Sequence, residues 1–230
     1  MSKTEMEQRL KRGDNIAEET EEMAAFFEKR LDIYEEHQLN EIIGARDFYC
    51  KTAELLPASA GAEILDLGCG TGLELGFYYA INSSARVTCV DLSEKMLCVL
   101  REKFRKFAPQ IVCASYFDID FGKEKFDAAV SVESLHHFTF EEKVPLYQKV
   151  CASLRAGGRF VLTDYLEDTE DESRAAFARK AQLLAGKEGL FHIDTPLTVA
   201  RECEALRQAG FSDVRECGRW NKTSILLALR

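Results

Sequence analysis

The chain of 230 residues contains no uninterrupted apolar run near the ~20 residues that a membrane-spanning helix needs. Its opening stretch, MSKTEMEQRLKRGDNIAEE, is charged throughout and lacks the apolar segment of a secretory signal. A cytoplasmic protein with no membrane contact is expected. A dense basic stripe is also missing. The formal net charge is −9, and the basic clusters at Lys123-Glu-Lys125 and 101–106 are interrupted or read as helix surface. Nucleic-acid affinity draws on Lys and Arg displacing counterions from phosphates, so a polyanionic partner is disfavoured. The eight cysteines, at 50, 69, 89, 98, 113, 151, 203 and 217, form no CxxC pair and have no His at zinc spacing. Neither a disulfide framework nor a metal is expected, and Cys89 and Cys113 read as small core hydrophobes. No repeat, low-complexity tract or linker interrupts the chain, which points to a single domain over 1–230.

What is present is a globular composition, 46% apolar and 30% charged. Residues 1–56 read as a helical cap, with Met23, Phe26, Phe27, Leu31, Tyr34, Leu39, Ile42 and Ile43 recurring at roughly helical spacing. Pro57-Ala-Ser-Ala-Gly61 breaks that pattern. Short apolar runs then alternate with amphipathic stretches. Strands are predicted at 64–67, 86–91, 111–113, 126–132 and 158–164, with helices at 73–81, from 92 to about 107, and at 141–155. That rhythm implies right-handed crossovers and a parallel, doubly wound α/β sheet. A helix at 198–209 and strands at 211–217 and 223–229 follow, the two strands close enough to form a hairpin and an antiparallel edge. The segment 166–197 stands as an insertion between core and tail.

Ligands on such sheets bind beyond the carboxyl ends of the strands. The first strand runs into Asp66-Leu67-Gly68-Cys69-Gly70-Thr71-Gly72. Glycines there let backbone approach a ligand, and the helix that follows offers free N–H groups to an anion such as a carboxylate. The spacing G-x-G-x-G differs from the G-x-G-x-x-G of dinucleotide sites. Asp66 is placed to accept hydrogen bonds from loop amides or from a ligand amine, and would sit badly beside a pyrophosphate. Asp91 closes the second strand, placed to grip ribose hydroxyls. A tight turn with an unrelated strand-end Asp is the plainer alternative for this combination.

ILDLGCGTG at 64–72, VTCVDLS at 87–93, FDAAVSVESLHHF at 126–138 and GRFVLTDY at 158–165 together resemble the successive motifs of class I S-adenosylmethionine-dependent methyltransferases, of the small-molecule, domain 11/25-like kind. The resemblance covers about residues 60–165. It implies a Rossmann-like seven-stranded sheet of order 3-2-1-4-5-7-6 with the last strand antiparallel, and S-adenosyl-L-methionine as cofactor. Carried over by position, Asp66, Gly68, Cys69, Gly70 and Gly72 hold the methionine end, Asp91 the ribose, and Leu92 packs on adenine. Ser115 stands where the family often has an acid that touches the adenine amino group. Asp118 supplies that contact only if the loop is shifted, and Tyr116 flanks the ring. Tyr34, in Tyr34-Glu-Glu-His37, either faces the methionine portion from the N-terminal extension or packs on a core face.

Methyl transfer from a sulfonium is an in-line displacement, in which alignment is worth roughly 7–11 kcal/mol and a base helps where the nucleophile carries a proton. Glu133-Ser-Leu-His136-His137 follows the fourth strand beside the switch point. Glu133 is expected near the methyl group, and His137 and His136 are candidate bases, with pocket shaping as the alternative role. Asp164 and Tyr165 end the fifth strand as candidate acceptor residues or strand caps. His192 and Asp194 lie in the insertion that walls the acceptor side, although for Asp194 and Thr195 a helix-capping loop is preferred. The expected protein is a methyltransferase with a small-molecule acceptor, compatible with a homodimer. An enzyme doing other chemistry on an S-adenosylmethionine derivative, an NAD-dependent oxidoreductase and a non-catalytic binding protein stand as alternatives.

Overall fold

The structure is a computed structural model that describes residues 20–230. The first third of the expected N-terminal helix falls outside the described residues. The rest of that cap is three helices rather than one: α1 (Met23–Lys29), α2 (Leu31–Asn40) and α3 (Ala45–Leu55). Arg30 breaks the first pair, and Gly44, at φ +76°, turns the chain into α3. Only α3 buries a full apolar face, through Ala45, Phe48, Tyr49 and Ala53. α2 buries no residue and is held by its neighbours' side chains.

The core elements are β1 (Glu63–Leu67), α4 (Leu73–Ile81), β2 (Arg86–Asp91), α5 (Glu94–Lys103), β3 (Gln110–Cys113), β4 (Phe126–Val132), α6 (Phe140–Ser153) and β5 (Leu154–Tyr165). α7 (Glu170–Leu183), α8 (Val199–Gln208), β6 (Asp213–Trp220) and β7 (Thr223–Leu229) complete the chain. The expected helix from 92 to about 107 ends at Lys103, and a 3-10 turn at Arg105–Phe107 takes its last residues. Ser93 caps α5 by accepting from the Met96 amide at 3.3 Å, and Thr139 with Glu142 forms a reciprocal capping box on α6.

One seven-stranded sheet runs β3-β2-β1-β4-β5-β7-β6. The first five strands are parallel, and β7 lies antiparallel between β5 and β6. β1 and β4 are buried along nearly their whole length because helices cover both faces, which is why they read as continuous apolar runs. The chain order reverses between β1 and β4, and the carboxyl ends of β1, β2 and β4 open there together. The insertion is fastened back on the core by a parallel bridge between Glu167 and Thr198. It also meets the N-terminal segment: Glu22 bridges Phe191, and the Met23 amide donates to the Leu190 carbonyl at 2.9 Å. Cap and insertion thus form a single cover over the open end of the sheet.

Candidate active site

The loop after β1 is shaped by glycines that no other residue replaces at no cost. Gly68 sits at φ +71°, and a Cβ there would stand 2.0 Å from Ser134 Oγ. Gly72, at φ +73°, faces away from the cleft: a Cβ would lie 2.7 Å from the Phe104 ring of α5. Gly70 has the Tyr34 hydroxyl beside it, 3.5 Å from where a Cβ would be. Gly68 and Gly70 line a narrow cleft with Tyr34, Asp91, Leu92 and Ser115, whereas Gly72 and the buried Cys69 pack beneath the loop. Of the loop residues expected at the ligand, Gly72 and Cys69 do not line this cleft.

Asp91 holds the loop directly. Its Oδ2 accepts from the Gly70 amide at 2.8 Å and its Oδ1 from the Ser93 amide at 2.8 Å. Burial nonetheless raises its carboxyl above the usual range, with those amides opposing the rise. Each carboxylate oxygen keeps a free lone pair for a ribose hydroxyl. Asp66 differs. It is 1% exposed, and neither of its side-chain oxygens has a hydrogen-bond partner among the described residues. Burial and then the charge of neighbouring Glu74 push its carboxyl well above the usual range. Asp66 lies behind the glycine loop and lines neither the cleft nor the chamber beyond it; a buried carboxylate without a partner is costly, and an ammonium reaching it past the loop would satisfy it. With the glycine cradle, that orphaned pair of oxygens fits an amino-acid nucleoside.

The adenine side carries no acid. Ser115 Oγ accepts from the Phe117 amide at 3.2 Å, and Asp118 is exposed and takes no part in the cleft wall. Tyr116 is buried, with its hydroxyl 3.3 Å from Ser134 Oγ. The cleft itself encloses about 60 Å³, because Met23, Ala24 and Phe27 of α1 reach into it. Pockets for ligands of this size run to about 300–1,000 Å³, so the cleft as it stands is smaller than a nucleoside requires. Sequence reading did not single out Met23 or Ala24; nothing in a helical apolar pattern tells a core face from a lid face.

Beyond it lies a second chamber of about 760 Å³. The two cavities share Phe27, Tyr34, Glu133 and His137, which form the neck between them. Glu133 adopts φ +49°, a strained conformation for a residue with a side chain, and its Oε1 accepts from Thr223 Oγ1 at 2.8 Å. Burial raises its carboxyl to about 7, with His136 opposing.

His136 and His137 occupy a 3-10 turn after β4, and both are buried. His136 Nδ1 donates to Asp164 Oδ1 at 2.6 Å, while Asp164 Oδ2 accepts from the Leu135 amide at 3.0 Å. Against burial, which lowers it, the Asp164 carboxylate raises the His136 pKa to about 9. His137 goes the other way: burial and then the positive His136 ring push it down to about 3. Its Nδ1 lies 3.1 Å from Asp194 Oδ1 in an alignment that makes no hydrogen bond, and neither ring nitrogen has a hydrogen-bond partner. Asp194, although burial opposes it, is held well below the usual carboxylate range by His137 and His136.

Two expectations change here. Asp164 does not reach the acceptor chamber; it is fully buried, and both oxygens are committed to the His136 turn. Asp194 is not a helix cap, since Thr198 caps α8 and Asp194 sits beside the two imidazoles. Tyr165 and His192 do line the chamber, with Tyr165 donating to Glu167 at 3.0 Å and the His192 ring stacked on Phe26 at 3.4 Å between centroids.

Residues 64–158 match the family described as a methyltransferase domain. An O-methyltransferase of Penicillium expansum, cnsE, is 31% identical over 76% of this chain and 63% of its own length. The erythromycin 3''-O-methyltransferase of Saccharopolyspora erythraea is 29% identical over 70% of this chain and 54% of its own. The chain thus spans less than two thirds of these relatives. Among solved structures, an S-adenosylmethionine-dependent methyltransferase from Mesorhizobium loti superposes with a TM-score of 0.61 at 21% identity, covering 78% of this chain and 96% of that one. Sheet order, glycine loop and relatives converge on one likeness: the chain is similar to the class I S-adenosylmethionine-dependent methyltransferases, whose domain family matches residues 64–158.

Proposed function

We propose that the protein transfers a methyl group from S-adenosylmethionine to a hydroxyl oxygen of a sizeable small molecule. The carrying observation is the neck: four residues wall both the narrow cleft beside the glycine loop and the 760 Å³ chamber, so donor and acceptor sites open onto one another. The relatives named O-methyltransferases support oxygen as the acceptor atom.

When bound, the cofactor supplies a methyl group on a positively charged sulfur, already activated for displacement. The chain's own residues position and shield. Asp66 takes the ammonium, Asp91 takes the ribose, and Leu92 and Tyr116 flank the base. Tyr34 and Phe27 close the neck against water. Glu133, fixed by Thr223 and facing both cavities, receives the proton that the acceptor hydroxyl gives up. His137, Tyr165 and His192 line the acceptor's side of the neck.

The reading also holds the chain to be one domain, in the cytoplasm, with no nucleic-acid partner; sedimentation decides between monomer and homodimer. Among the described residues, no helix is long and apolar enough to cross a membrane. Calorimetry with S-adenosylhomocysteine, followed by a screen of phenolic and macrocyclic alcohols for methyl incorporation, tests the proposal. Binding with methyl-ether products supports it; absence of binding removes it.

A further inference from the structure

We infer that His136, His137 and Asp194 form a binding site for one divalent transition-metal ion, of the zinc type, opening on the acceptor chamber. The inference rests on the reading of that chamber as the acceptor site, although the donor set stands on its own geometry.

Three features carry it. First, the spacing suits a metal. Asp194 Oδ1 lies 3.1 Å from His137 Nδ1 and 3.7 Å from His136 Nε2, and one donor atom from each residue falls within 4.8 Å of the others. Ligands at about 2.0–2.2 Å around a tetrahedral zinc ion sit about 3.3 Å apart, inside that range. Second, His136 is already oriented as a metal-ligating histidine is. Its Nδ1–H is fixed by Asp164 at 2.6 Å, which leaves Nε2 directed at the cluster, the carboxylate–histidine arrangement that sets tautomer and ring angle in metal sites. Third, His137 is 2% exposed, and neither ring nitrogen has a hydrogen-bond partner among the described residues. The Asp194 carboxylate, 3.1 Å from Nδ1, faces this buried ring, and Nε2 has no partner, a cost the fold otherwise leaves uncompensated. A metal at the cluster uses one of the two nitrogens.

The second acidic grouping nearby, Glu133 with His136 and Asp164, is less suited. Asp164 spends both oxygens on the His136 ring and the Leu135 amide, and Glu133 Oε1 is taken by Thr223. Two imidazoles and one carboxylate favour zinc, iron, cobalt or nickel over magnesium, which prefers an all-oxygen shell. Three protein ligands leave a coordination position open, the pattern of catalytic rather than structural zinc. Here that position faces the chamber lined by Tyr165 and His192. The ligand class is therefore an acceptor whose oxygen can join the metal.

The test uses the full chain stripped with a chelator and titrated with Zn²⁺. The chain has only four histidines, His37, His136, His137 and His192, so ring proton–nitrogen correlations are assignable. Uptake of one equivalent, with His136 and His137 ring signals shifting together and His37 unmoved, supports the site. In Asp194→Asn and His137→Gln the zinc affinity should fall at least tenfold, and Co²⁺ should lose its visible absorption. Binding that is substoichiometric, that leaves the His136 and His137 signals in place, or that persists unchanged in the double variant overturns it. Should a variant fail to fold, the wild-type ring shifts alone decide. S-adenosylhomocysteine binding separates the two proposals: a chain that binds it but no zinc sinks the metal site alone, and one that binds zinc but not the nucleoside sinks the methyl-transfer reading alone.

Discussion

Asp164, at the end of β5, reaches His136 in the turn after the neighbouring β4, Oδ1 to Nδ1 at 2.6 Å, and holds the Leu135 amide with its other oxygen at 3.0 Å. The carboxylate therefore fixes both the ring angle of His136 and the turn that carries it. Asp164→Asn keeps an acceptor for the amide but presents the ring with an oxygen or an NH₂, not a charge. With His136 as a ligand of the proposed metal ion, zinc affinity should fall about 10–100-fold, the usual cost of losing such an orienting partner. S-adenosylhomocysteine affinity should stay within twofold, measured by calorimetry. An equal loss in both would mean that the whole cleft has moved.

The orphaned oxygens of Asp66 give the sharpest binding prediction. Charge-assisted hydrogen bonds are worth about 1.5–3 kcal/mol each, so Asp66→Asn should weaken S-adenosylhomocysteine about 10–100-fold. The same substitution removes a buried carboxyl whose ionisation burial and Glu74 oppose, which should raise the melting temperature of the unliganded protein at neutral pH and above. Weaker binding in a more stable protein is a combination that general damage does not produce.

The sheet order and the glycine loop were legible because both are local or periodic: each strand is a short apolar run, and each motif lies within one strand and its turn. Asp66 and Asp91 were legible for the same reason. The neck was not. Thr223 meets Glu133 and Asp194 meets two histidines only because β7 and the insertion fold back on the end of β4, and Ser134 meets Gly68 only because β4 pairs with β1. No metal was expected because the cysteines form no CxxC pair and have no His at zinc spacing; two adjacent histidines with an aspartate 57 positions beyond His137 give no such signal along the chain. Asp164 misled for a different reason. The end of a parallel strand faces the cleft as a rule, but here the turn after β4 lies over it.

Glu74 supplies a pH dependence. It is buried in α4 beside Asp66, and burial raises its carboxyl from 4.5 to about 7, with the Asp91 charge adding and Lys103 opposing. A carboxyl whose folded pKa lies above its unfolded one stabilises the fold only while protonated. That contribution is complete below about pH 4.5 and is lost as pH rises through about 7. Glu74→Gln cannot ionise, so it should match wild type in stability near pH 4 and exceed it above pH 7. At about 1.4 kcal/mol per pKa unit the gap reaches at most about 3 kcal/mol. Urea denaturation at the two pH values reads it; a constant difference between the proteins would refute the assignment.

Gly68 and Ser134 test whether the loop's glycine is there for backbone conformation or for space. A Cβ at Gly68 would meet Ser134 Oγ at 2.0 Å and Ser134 Cβ at 2.6 Å, and the position also holds φ +71°. Gly68→Ala thus carries a clash and a left-handed backbone. The second alone costs about 1–2 kcal/mol, and the first displaces the turn that leads from β4 to His136. Gly68→Ala combined with Ser134→Gly removes the clash and keeps the backbone cost. The single variant should lose S-adenosylhomocysteine binding and several degrees of melting temperature. The double variant should recover binding to within about tenfold of wild type, since about 1.4 kcal/mol corresponds to a factor of ten. No recovery would mean that the ligand's own approach to the Gly68 backbone, rather than room for Ser134, is what excludes a side chain.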